Sequence, residues 1–233
     1  MNRLSKFVAL PIAILTVAIG LAIGILTFSE DARHYFISSK LYGFLAYTYN
    51  EIRPYMLYGN NESCISDLTT ETIKFSPVAE THDGSCTVKS GVRITSIGRT
   101  KILPSAILTC SMAKSLLEWE EYVQAIAKDV LASNVAEIRH IGTYNCRALH
   151  AMPMILSEHA YANAIDIIAL KLENGKEFTI KANWNNNTES ALFLTKIAVK
   201  ACNSFSLALT PNSNRAHADH FHFDNGIYLG GDC

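Results

Sequence analysis

From Phe7 to Phe28 the chain carries no charged residue, with Arg3 and Lys6 before that run and Glu30 and Asp31 after it. At about 1.5 Å per helical residue, such a run can cross a hydrocarbon core of about 30 Å. A cleaved secretory signal has a shorter apolar region and a small-x-small cleavage site, whereas this run is long and ends in Leu-Thr-Phe-Ser-Glu-Asp. An uncleaved anchor over residues 1–28 is therefore expected. The basic residues ahead of it put the N-terminus in the cytoplasm and everything that follows on the other side.

Residues 29–61 are rich in aromatics, among them Tyr35, Phe36, Tyr42, Phe44, Tyr47, Tyr49, Tyr55 and Tyr58. Amphipathic rings close to a membrane sit at headgroup level, so this stretch reads either as a helical juxtamembrane neck or as a segment packed on the domain. Gly59-Asn-Asn61 breaks it, and residues 62–233 remain to form one globular unit. All six Cys lie after the apolar run, at 64, 86, 110, 146, 202 and 233. An even count on the translocated side points to disulfides in an oxidising compartment, with the pairing left open. Charge is balanced, 20 basic residues against 21 acidic, and nothing argues for a nucleic-acid partner.

Within the globular unit, Val92 to Ile97 alternates as a strand. Pro104 is expected to open a helix running to about Leu131, with Leu108, Met112, Leu116, Trp119, Val123, Ile126 and Val130 as its core-facing stripe. Ala136 to Tyr144 reads as another strand. Ile165 to Leu172 and Glu177 to Ala182 flank Glu-Asn-Gly-Lys and so form a hairpin, because Asn-Gly is the strongest two-residue turn signal. Thr188 can cap a further helix that presents Leu194, Ile197, Ala201 and Phe205 on one face and stops before Pro211.

Two segments concentrate residues that ligate metals. His217-Ala-Asp-His-Phe-His-Phe-Asp224 reads as a strand with His220, His222 and Asp224 on one face and Phe221 and Phe223 on the other. Ser157-Glu-His-Ala-Tyr-Ala-Asn-Ala-Ile-Asp166 adds His159 and a carboxylate. Two His, one Asp and an open position compose a catalytic zinc site rather than a closed structural one. His34, His82, His140 and His150 lack such company and read as surface or hydrogen-bonded residues.

Through Tyr144-Asn-Cys-Arg147, Ser157-Glu-His-Ala160, Asn163-Ala-Ile-Asp-Ile167, Ala201-Cys202 and the final His-rich segment, the chain from about Cys64 to Cys233 resembles the bacterial extensin-like C-terminal domain. That domain is similar to the zinc peptidases grouped with lysostaphin, the D-Ala-D-Ala carboxypeptidases and the hedgehog fold. The pattern of His217, His220 and His222 is closest to the penicillin-insensitive murein endopeptidases. The resemblance implies an α+β fold, a small and mostly antiparallel sheet carrying the metal site with helices 105–131 and 188–207 packed against it. It implies His159, Asp166 and His222 as ligands of Zn2+ and His220 as the catalytic histidine. Arg147 is expected to face a substrate carboxylate or a developing oxyanion, or else to form a surface salt bridge. Tyr144 is expected on the substrate side. His217 either positions substrate or caps the loop, and Asp224 orients a ligand His.

Two departures from the pattern stand out. Related peptidases place Gly where Ala162 stands, and a positive φ there is expected to pass to Asn163, which tolerates it better than Ala. Asp219 takes the position of their Glu base, and strand alternation puts it opposite His220, making it the second choice for that role. The activity implied is that of a membrane-anchored periplasmic peptidase hydrolysing D-amino-acid bonds in peptidoglycan peptides, with the inner membrane as its other partner. The alternative is a catalytically silent cell-wall-binding module with the same fold. A structural wall protein of the Pro-rich kind is excluded, because the six Pro are scattered.

Overall fold

A computed structural model describes residues 39–58, 62–68, 72–89, 91–150 and 152–226. The run from Phe7 to Phe28 lies outside them, and no helix among the described residues is long and apolar enough to cross a membrane.

Among the described residues two helices come first, α1 (Lys40–Tyr58) and α2 (Glu62–Leu68). Strand β1 (Ile73–Val78) is followed by a small separate hairpin, β2 (Thr81–Asp83) and β3 (Cys86–Val88), which turns at Gly84 with φ 58°. Next come β4 (Gly91–Ile97), β5 (Thr100–Thr109), α3 (Cys110–Leu131) and β6 (Val135–Gly142). The chain then runs through β7 (Ala164–Leu172), β8 (Glu177–Thr179) and α4 (Ile180–Asn183). It closes with α5 (Glu189–Ser204), β9 (Leu207–Leu209) and β10 (Phe221–Asp224). The main sheet has the order β1-β4-β5-β6-β7-β10-β9, with β8 paired to β7. Its strands pair antiparallel except β5 with β6, which are joined through α3 and run parallel. The fold is thus α+β with a mostly antiparallel sheet.

One predicted boundary moves. The helix expected from Pro104 begins only at Cys110, and Thr100–Thr109 is a strand in which Ile102, Ala106 and Leu108 are buried in alternation. Pro104 is accommodated because the β4–β5 register shifts between Ile94 and Ser96, and a bulge asks no ladder hydrogen bond of a residue without an N–H. Thr109 caps the true helix, its hydroxyl accepting from the Met112 amide at 3.2 Å. The stripe of Met112, Leu116, Trp119 and Val123 is buried as expected. So is that of α5, which Thr188 caps by accepting from the Ala191 amide.

These helices cover the sheet face from which Phe221 and Phe223 project. Trp119 of α3 meets Phe223 edge-on at 5.2 Å, Phe205 stacks on Phe223 at 4.9 Å, and Trp184 meets Phe221 edge-on at 5.3 Å. Both Phe side chains are fully buried, each stabilising the fold by roughly 1.5–3 kcal/mol relative to exposure. They pin β10 against Ile165 and Ile167 of β7, and the alternation turns His222 and Asp166 to the opposite face.

Disulfides join Cys64 to Cys110 and Cys86 to Cys146, and Cys202 is also disulfide-bonded. The first ties α2 to the start of α3. The second ties β3 to the loop after β6. The aromatic segment before residue 62 packs on the domain: Tyr42, Ala46, Asn50 and Arg53 of α1 are buried. Gly43 brings α1 so close to the 152–156 loop that a Cβ there would stand 3.2 Å from Met154 Cε.

Candidate metal centre

Sheet register brings two of the three expected ligands together. β10 pairs with β7 so that His222 lies directly opposite Asp166, with 2.8 Å between His222 Nδ1 and Asp166 Oδ1. Gly142 of β6 flanks Asp166 on the other side and adds no side chain there. His159 arrives from a short 3-10 turn, Glu158–Tyr161, which Ser157 opens by accepting from the His159 amide. Ala162 ends that turn with φ 55°, its amide reaching back to the Glu158 and His159 carbonyls, and the chain then enters β7. The left-handed residue is therefore Ala162 itself and not Asn163, as the sequence had suggested. Asn163 has other work, since its amide accepts from Thr109 Oγ1 at 3.1 Å and donates to Glu158 Oε2 at 2.8 Å.

The result is a cluster in which His159, Asp166 and His222 each offer an atom within 4.8 Å of the others. His159 Nε2 is 3.2 Å from Asp166 Oδ2 and 3.2 Å from His222 Nδ1. The far nitrogen of each ring is occupied. His159 Nδ1 donates to the Thr143 carbonyl at 3.2 Å, and His222 Nε2 donates to Asp224 Oδ2 at 2.9 Å. With the far nitrogens engaged outward, His159 Nε2 and His222 Nδ1 are turned toward one another beside the Asp166 carboxylate. These three groups could hold a metal ion, and imidazole nitrogen with carboxylate oxygen is a donor set that suits zinc.

Electrostatics agree. Burial pushes the Asp166 carboxyl up, but hydrogen bonds and charge from His159 and His222 outweigh it and hold it far below the carboxylate range. Burial likewise works to lower His222, and the hydrogen bonds it donates to Asp166 and Asp224, with their charge, overcome it and push the ring up to about 9. Positive charge is favoured at the point where the three side chains meet.

The surrounding residues fall partly as expected. The strand expected over His217–Asp224 covers only Phe221–Asp224, because Asn214 caps a 3-10 turn at Arg215–His217 and two turn residues follow. His220 therefore precedes the strand, yet its Nε2 still comes 3.7 Å from Asp166 Oδ1. Asp219 is not directed away from it: its Oδ1 accepts from His220 Nδ1 at 3.0 Å, since strand alternation does not govern a turn. His217 bonds Asn214 Oδ1 at 2.8 Å, and its ring lies 5.2 Å from that of His220 and 5.5 Å from that of His222. Burial first, then the charges of His222 and His220, lower His217 to about 4, so it is neutral at ordinary pH.

Tyr144 and Arg147 sit on the loop after β6, Tyr144 half-buried and Arg147 exposed. That loop lies against the His159 turn, with the Asn145 amide donating to the His159 carbonyl and the Ser157 amide to the Arg147 carbonyl, each at 3.0 Å. His140 is buried, its Nε2 bonded to the Pro104 carbonyl at 2.9 Å. The Thr143 carbonyl, a backbone atom, leaves no mark in the pattern of side chains. Neither Glu158 nor Arg53 was assigned a role from the sequence, although Glu158, a carboxylate directly before His159, was a usable signal.

Fold and site together define an α+β domain whose sheet presents a His-Asp-His cluster able to ligate a divalent cation. Residues 62–231 match the family described as Extensin-like protein C-terminus, and the chain belongs to that family. Searches of curated proteins and of solved structures yield no match.

Proposed function

We propose that the chain is a zinc-dependent peptidase that hydrolyses D-amino-acid peptide bonds in peptidoglycan. The observation that carries this is the convergence of His159 Nε2, Asp166 and His222 Nδ1, with the far nitrogen of each imidazole already tied to Thr143 or Asp224. Zinc held by these three residues would polarise a peptide carbonyl and acidify a water.

The protein groups divide the remaining work. His220 donates a hydrogen bond from Nδ1 to Asp219 Oδ1, which leaves Nε2 free to accept a proton on the side facing the ligand cluster. It takes that proton from the attacking water and returns it to the leaving amine. Asp219 fixes the ring's tautomer and steadies its charged form. His217, neutral, offers a hydrogen bond to substrate without adding charge beside a cation. Arg147 and Tyr144, on the loop bonded to the His159 turn, are assigned to the substrate's carboxylate and peptide. The disulfides suit an oxidising compartment, and the uncharged run from Phe7 to Phe28 suits an inner-membrane anchor with the domain in the periplasm.

The test is incubation of the zinc-loaded full chain with a muropeptide mixture, with products read by mass spectrometry. Cleavage at a D-configured bond is expected, with zinc and activity lost together in His222→Ala. In His220→Ala, zinc should stay while turnover falls by roughly 10²- to 10⁴-fold. Muropeptides retained but never cut would identify a binding module instead.

A further inference from the structure

Helix α1 lies ahead of the residues that match the family, which begin at 62, yet it is bound to the turn that carries His159. Asn50 works as a bracket on the 152–156 loop, its Nδ2 donating to the Met154 carbonyl at 2.7 Å and its Oδ1 accepting from the Leu156 amide at 3.1 Å. One turn later Arg53 donates from Nη1 to the Leu156 carbonyl at 3.3 Å and forms an ion pair with Glu158, the residue immediately before His159. The Arg53 guanidinium also lies over the ring of Tyr161 at 5.2 Å. Arg53 is 6% exposed and Glu158 3%.

Glu158 is the junction. Its other oxygen accepts from Asn163 Nδ2, and Asn163 is held by Thr109 at the start of α3. The His159 turn is thus gripped from the domain side through Asn163 and from α1 through Arg53. A carboxylate this deeply buried is costly without its cation, and the cost is relieved either by protonation or by opening of the turn to let water reach Glu158, each of which loosens the grip on the turn.

We infer that α1 is a working part of the metal site and that Arg53, acting through Glu158, is the positioning residue that fixes the His159 turn. The loop-ordering part stands by itself, and its consequence for metal rests on the zinc reading proposed above. Two kinds of variant separate position from charge. Arg53→Met removes the cation and leaves the Glu158 carboxylate buried without it, with Asn163 still bonded to its other oxygen. Arg53→Met combined with Glu158→Gln removes the lone charge while an amide oxygen can still accept from Asn163.

The experiment uses the full chain in detergent and reads amide hydrogen exchange over residues 155–163, together with zinc affinity by competition against a chelator. Arg53→Met should speed exchange in that window by at least about 10-fold, with β4 and α3 left protected. It should also weaken zinc by roughly 10- to 100-fold, the scale for losing a group that orients a ligand. The double variant should recover most of the lost protection, and Arg53→Lys should fall between, since an ammonium keeps the charge but not the planar fork. If Arg53→Met does not fold, the double variant and Arg53→Lys carry the comparison. Exchange over 155–163 within about threefold of the parent in every folded variant overturns the inference. A parent chain that binds no zinc defeats the zinc reading alone, because the exchange result still decides the role of Arg53.

Discussion

Asp224→Asn tests whether the candidate centre is supported as its hydrogen bonds imply. Asp224 is 1% exposed and both its oxygens are in use, Oδ2 accepting from His222 Nε2 at 2.9 Å and Oδ1 from the Gly226 amide at 2.8 Å. Asparagine has nearly the same shape but only one oxygen. Whichever way the amide turns, its NH2 faces an N–H, so one buried donor loses its acceptor. Leaving such a group unsatisfied costs about 1–3 kcal/mol, and roughly 2–4 °C of Tm follows from each kcal/mol in a chain of this size. If the amide oxygen stays with Gly226, His222 loses the partner that fixes its tautomer, and metal affinity should fall by roughly 10- to 100-fold. Chelator competition near neutral pH measures the affinity, and thermal unfolding of the metal-free chain measures the stability. Zinc affinity within about twofold of the parent, with Tm unchanged, would refute the assigned role.

Two further outcomes follow from backbone and burial. Ala132 and Ala162 both have positive φ, but Ala132 is exposed and Ala162 fully buried. Ala132→Gly should therefore stabilise by about 1 kcal/mol, while Ala162→Gly should be nearly neutral because losing a buried methyl offsets the relief by about 0.8 kcal/mol. Equal gains in urea unfolding would contradict this. Burial lowers His140 below the ordinary His range, against the pull of the Pro104 carbonyl and of Asp166. The unfolded chain then binds that proton more readily, so this contribution to stability is fully present above about pH 6.5 and is lost as pH falls from there through the ring's lowered pKa. His140→Gln should flatten the slope between about pH 7 and pH 5, and an unchanged slope would rule His140 out as its source.

How much of this was legible in the sequence depends on the range of the interaction concerned. The candidate cluster of His159, Asp166 and His222 was proposed from the two segments rich in metal-ligating residues and from the family resemblance, while the β7–β10 register that sets His222 opposite Asp166 is a long-range pairing. The caps at Thr109 and Thr188 differ instructively. Thr188 was read correctly, but Pro104 masked Thr109, since Pro signals a helix start more often than a bulged strand and the alternation of Ile102, Ala106 and Leu108 was missed. Extending strand periodicity back to His217 sent Asp219 to the wrong side, because nothing local marks where a strand begins after a 3-10 turn. The docking of α1 was not legible. Asn50 and Arg53 act on residues about a hundred positions away, and no periodicity encodes such a contact.

The central claim, that His159, Asp166 and His222 hold a metal, is tested most directly by anomalous scattering from crystals of the zinc-loaded chain, recorded on both sides of the zinc absorption edge. The account predicts a peak enclosed by His159 Nε2, Asp166 and His222 Nδ1, which disappears in His222→Ala. A fully loaded chain with no peak there, or with one that survives that substitution unchanged, would contradict it.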